Sequence, residues 1–102
     1  MKGATFTDTG GSWATRGVNF RHTNLRSAQL AGMDFTDCDF RHADLDGSDL
    51  RKASFKNCRL DKADLQNANL CGADLSGAKG LRSHQVASAK TDEETRLPAY
   101  LS

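Results

Sequence analysis

No stretch of this chain is apolar for long enough to be a signal peptide or a membrane span. Met1-Lys2-Gly3 has no hydrophobic run behind it, so neither export nor a membrane is expected, and the cytoplasm is the expected compartment. Hydrophobic residues are 37% of the 102, and mean hydropathy is −0.62, too little for a thick globular core. An excess of one charge is also missing: 14 Lys and Arg stand against 13 Asp and Glu, and nucleic acid is not an expected partner. Catalytic constellations are absent as well. There is no nucleophile with a matching base, no glycine-rich loop opening a helix, and no metal-ligand spacing, so neither an enzyme nor a cofactor is expected. Cysteine is scarce and odd in number, at three, which argues against a disulfide framework; an exposed thiol at Cys71 would suit a reducing compartment.

What the chain does have is a count of five. Leu or Phe recurs at Phe20, Leu25, Leu30, Phe35, Phe40, Leu45, Leu50, Phe55, Leu60, Leu65, Leu70 and Leu75. Two residues before each stands a smaller one, as at Ala28, Cys38, Ala43, Ser48, Cys58 and Ala63, and between the two is usually Asp or Asn. On a helix, five residues advance about 500°, which would scatter the large residues around the cylinder. On a straight strand, a step of five moves each to the opposite face. The chain must therefore bend once in every five residues.

Small-polar-large reads in, out, in, a three-residue piece of strand. Two turn residues follow, and Gly32, Gly47, Gly72 and Gly77 all hold the second of them, where a type II turn needs positive φ. Asn57 and Asn67 tolerate the same region. A longer repeat sets the number of sides. Phe20-Arg21-His22 returns as Phe40-Arg41-His42, and Cys38 as Cys58, twenty residues on. Four fives make one four-sided coil, and stacked coils pair like parallel strands about 4.8 Å apart. The middle Asp and Asn residues are placed to accept hydrogen bonds from the corner backbone.

The motifs Ala43-Asp44-Leu45, Ala63-Asp64-Leu65, Ala68-Asn69-Leu70 and Ala73-Asp74-Leu75 resemble the A-(D/N)-L-x-x unit of the pentapeptide-repeat family. The resemblance implies an all-β solenoid, a right-handed quadrilateral parallel β-helix of about three coils; the handedness comes from the family alone. Ser54 and Arg59 depart from the middle Asp/Asn, while Met33, Cys38 and Cys58 enlarge the small site and are expected to widen the column locally. The chain then divides into a lead-in at 1–17, the β-helix at 18–79 and a short α-helical C-terminal cap at 80–102. In the lead-in, Phe6 is one residue out of register, and Trp13 is expected across the open N-terminal end. After Gly80, Ser83 is expected to cap a helix reaching Ala89, and Thr91 and Glu94 to form a capping box. The tail, with its Thr95-Arg96-Leu97-Pro98, resembles that of many bacterial members, cyanobacterial ones in particular.

Stacking places Arg21 over Arg41 and His22 over His42, with Lys62 one level further, making one basic edge. It is read either as a solvated corner that aids solubility or as a contact for an anion or an acidic partner. Two imidazoles without further ligands do not make a metal site. Function reads as a non-enzymatic module for protein interaction or structure, its protein partner unnamed. No cap is visible before Val18, so a second copy, giving a homodimer through the N-terminal end, or a further domain is expected there. The alternative implied by the resemblance is a DNA-mimicking modulator of a type II topoisomerase, although mimicry needs a long acidic rod and this chain carries net +1.

Overall fold

The computed structural model describes residues 17–101. The readings made for Phe6 and Trp13 lie outside those residues. From Asn19 onward the backbone pairs with itself one coil later. Asn19 bridges Asp39, Asp39 bridges Arg59 and Arg59 bridges Lys79; parallel series run through Asn24, Gln29 and Asp34 in the same step of twenty. Each bridge is a single residue wide, because the chain turns before a longer strand can form.

The unit around Leu45 shows why the five-residue pattern holds. Ala43 N–H closes the turn onto Phe40 O (3.0 Å), Asp44 N–H reaches back one coil to Thr23 O (3.0 Å), and Leu45 and Gly47 N–H reach forward to Asp64 O and Gln66 O (both 2.8 Å). Stacking and turn leave one amide over, Asp46 N–H, and Asp44 Oδ1 accepts it at 3.1 Å. Every amide thus has a destination, as buried and half-buried backbone demands. The middle Asp or Asn is needed for the fifth. The same bond recurs from Asn19, Asn24, Asp34, Asp39, Asp49, Asp64, Asn69 and Asp74.

All twelve second turn positions between His22 and Gly77 have φ between 58° and 76°. Four are glycine and two are Asn57 and Asn67, as the sequence suggests; Ser27, Lys52 and Lys62 are less obvious occupants. An L-residue pays about 1–2 kcal/mol in this region. At Ser27 and Lys52 the bond that the amide donates to the next coil, Ser27 N–H to Asp46 O at 2.9 Å and Lys52 N–H to Cys71 O at 3.0 Å, holds the turn in place regardless.

The interior is filled along its length. Leu25, Leu30, Phe35, Phe40, Leu45, Leu50, Phe55, Leu60, Leu65, Leu70 and Leu75 are each 2% exposed or less, and Phe20, at the first level described, is half-buried. Phe20 stacks on Phe40 at 4.9 Å between centroids, and Phe35 on Phe55 at 5.4 Å. Polar residues at the small site are satisfied inside: Ser48 Oγ donates to Leu45 O and the Cys58 thiol to Phe35 O, both at 2.7 Å.

The rhythm breaks at Gly80, with φ +72° and no room for a Cβ beside the Asp61 carboxylate. The turn comes early, so Leu81 takes the interior place. Helix α1 spans Ser83–Ala87, two residues shorter than expected, and its N-cap is Arg82 rather than Ser83. Gln85 explains this start. Its buried amide accepts Arg82 N–H at 2.6 Å and donates to Leu60 O (2.9 Å) and Ala63 O (2.8 Å), carbonyls on the last coil's corner. The expected capping box at Thr91 and Glu94 does not form. Asp92 Oδ1 instead gathers the amides of Gly72, Glu94 and Thr95, while Thr95 Oγ1 donates to Leu70 O. The chain bridges the column on either side, Lys90 with Asn69 and Arg96 with Asp74, and between the bridges makes one turn, closed by Thr95 N–H to Asp92 O at 3.2 Å, which leaves no helix to cap. Tyr100 Oη takes Leu81 N–H and donates to Ala78 O.

Candidate interaction surface

The column has four faces and four corners. Residues 21–22, 41–42 and 61–62 lie along one corner, with Arg82 beside Lys62 past the break at Gly80, and the middle residues Asn19, Asp39, Arg59 and Lys79 climb the face that leads into it. His22 and His42 stack at 4.8 Å with rings 10° from parallel, Lys62 continues their line by register, and Arg82 shares a cleft with Lys62. Arg21 is exposed. Arg41 is not available in the same way, because it folds back in a two-pronged fork onto Asp39, with Nη2 to Oδ2 at 2.6 Å and Nε to Oδ1 at 3.0 Å. That guanidinium holds the Asp39 carboxyl down at about 2. Arg21 has no such fork, since its middle residue is the neutral Asn19.

The edge expected at Arg21, His22, Arg41, His42 and Lys62 therefore loses Arg41 to Asp39. The geometry adds Arg59, Lys79 and Arg82. Arg59 and Lys79 follow from Asp39 by the step of twenty at the middle positions, whereas Arg82 lies past the break at Gly80, where the repeat gives no signal. Among the described residues, none of Arg21, Arg59, Lys62, Lys79 and Arg82 makes an ion pair. Elsewhere three cations are answered locally, Arg26 by Asp44 (3.3 Å) and Asp46 (3.4 Å), Arg51 by Asp49 (2.7 Å) and Lys56 by Asp74 (3.9 Å), while Lys52, Lys90 and Arg96 make no ion pair among the described residues. The other carboxylate on the basic corner, Asp61, has its Oδ1 buried and without a hydrogen bond. Where the column meets α1, Lys62, Arg82, His84 and Gln85 line an open cleft of about 350 Å³.

The thiols offer no chemistry here. Burial pushes Cys58 up to about 12 and raises Cys38, so both stay protonated, and Cys71, expected in the open, is half-buried. Among the described residues no three His, Cys, Asp or Glu side chains gather to hold a metal ion, and no helix is long and apolar enough to cross a membrane.

A twenty-residue coil with four turns, parallel pairing from each coil to the next and a filled apolar axis define a quadrilateral β-solenoid repeat protein. The chain belongs to the pentapeptide-repeat family, matching its repeats in eight copies over residues 16–51 and 38–77; its structural neighbours belong to the same family, which folds as right-handed quadrilateral β-helices. It is similar to a pentapeptide repeat protein of Nostoc Pcc 7120, with 24% identity, TM-score 0.53, and 84% of this chain and 78% of that one covered; this likeness shows the fold alone. A pentapeptide repeat protein of the cyanobacterium Cyanothece 51142 is 26% identical with TM-score 0.40, the match covering 80% of this chain and 62% of that one. QnrB1, a plasmid-mediated fluoroquinolone resistance protein, is 22% identical with TM-score 0.38, covering 81% of this chain and 36% of that one. The chain thus spans about three fifths of the Cyanothece protein and just over a third of QnrB1. No curated protein matches it.

Proposed function

We propose that this chain is a non-enzymatic scaffold of about three coils that binds another protein through its outward faces, with residues 80–102 as the cap of one end. The observation that carries this reading is the ladder arrangement. Outward side chains at the middle positions stand in register from coil to coil, while the interior is packed solid. Such a body offers a rigid array and no enclosed chamber. Affinity capture from the native host should return a partner in fixed stoichiometry, and gyrase supercoiling should be unaffected by the chain. Inhibition of supercoiling would overturn the reading in favour of the DNA-mimicking topoisomerase modulator, which the unpaired cations on one side oppose.

The N-terminal end belongs to the same proposal. Val18 is 39% exposed there, and among the described residues the amides of Asn24 and Gln29 have no acceptor. Unpaired strand edges invite a further strand, and a second copy would supply it. Analytical ultracentrifugation is expected to show a dimer; a clean monomer at high concentration would remove this part.

A further inference from the structure

Charge on this column is segregated. Among the described residues, the basic corner and its face carry six of the twelve Arg and Lys side chains against two carboxylates, and the remaining surface carries the other six against ten. Of the two carboxylates on the basic side, Asp39 is occupied by Arg41, and Asp61 has its Oδ1 buried without a hydrogen bond.

Arg59 sharpens the point, because it breaks the repeat's own rule at a cost. A middle Asp or Asn would hold the amide two residues on, yet Asp61 N–H has no such bond. Arg59 also bridges Lys79 directly, and like charges facing each other across a parallel pair destabilise it. Asp39, which bridges Arg59 from its other side, is engaged by the Arg41 guanidinium. Residues that violate local rules without structural return are expected at functional sites.

We propose that Arg59 and Lys79, with Arg21, Lys62 and Arg82, form a docking strip for an extended acidic segment of a protein partner, a carboxylate seating in the Lys62–Arg82–His84 cleft. This names the partner chemistry for the scaffold reading and rests on it. The strip is one face and one corner wide. Asp44 and Asp64 border it on one side and Asp37 on the other. A nucleic-acid duplex would bring its phosphates against those flanking carboxylates, whereas a single extended peptide fits between them. Five exposed cations in a chain of pI 7.8 also fall short of a nucleic-acid footprint.

The experiment titrates a labelled oligo-glutamate peptide into the full chain at low salt, with a duplex DNA of equal charge alongside. The peptide is expected to bind, weaken as salt rises, and lose affinity about tenfold in Arg59→Glu/Lys79→Glu but not in Arg51→Glu on another side. Arg59→Asn separates binding from folding, because it restores the corner bond without setting a second carboxylate against Asp39. It is expected to raise Tm while weakening the peptide. No peptide binding, equal loss in Arg51→Glu, or tighter binding of the duplex would overturn the strip. A host partner still captured by Arg59→Glu/Lys79→Glu would sink the strip and leave the scaffold standing; gyrase inhibition would sink the scaffold.

Discussion

At Asp39 one carboxylate performs two jobs. Its Oδ1 accepts the Arg41 amide at 3.0 Å, as every middle Asp does for its corner, and both oxygens hold the Arg41 guanidinium. The second job depresses its pKa to about 2, below the value of about 3.9 for an unfolded aspartate. A depressed carboxylate stabilises the fold above the unfolded pKa, and that contribution is lost as pH falls through the folded one. Asp39→Asn keeps the corner bond and discards the fork. Its Tm should lie below wild type at pH 7, with the gap closing as pH falls toward 2. A gap unchanged down to that pH would mean the fork contributes nothing.

Among elements, the corner at Gly80 decides where the repeat stops. A glycine in a turn ordinarily supplies positive φ; here a Cβ would also collide with the Asp61 carboxylate of the coil before. Gly80→Ala should cost about 1–3 kcal/mol in denaturant titration. In an Asp61→Ala background the collision is gone and the conformational part alone should remain, so equal costs in both backgrounds would place the strain elsewhere. The same corner explains why α1 was misread from sequence. Ser83 is a good N-cap by residue type, but Gln85 already supplies what the helix start needs, and does so through Leu60 O and Ala63 O, twenty-odd residues away. Thr91 and Glu94 have the capping-box spacing, yet their segment makes a single turn between the bridges to Asn69 and Asp74. Short motifs fail where a long-range bond claims the same atoms.

On the scale of the whole molecule, one coil leans on the next and no coil has a core of its own. A repeat column is stabilised by unit and interface alike, so a cavity in the middle level should be felt along the axis. Leu50 is fully buried, and Leu50→Ala should cost about 2–5 kcal/mol. A loss under about 0.5 kcal/mol would mean that its place on the axis carries little of the stability. Charge obeys the same stacking. Because residues twenty apart are neighbours, one substitution in a repeat becomes one step in a ladder, and Arg59 beneath Lys79 turns two unremarkable residues into the start of a strip.

Spacing alone determined the interior and the corners, since five is incompatible with a helix or a straight strand, and small, polar, large leaves one way to bend. It also determined that twenty residues make a coil, through the longer repeat, and that middle Asp and Asn residues serve the corners, through bonds between residues two apart. The folded chain decided which cations stand beside one another from coil to coil, and how the last coil is closed by Gln85 and Thr95. Those outcomes depend on side chains brought together across coils, and no pattern within a single repeat contains that distance.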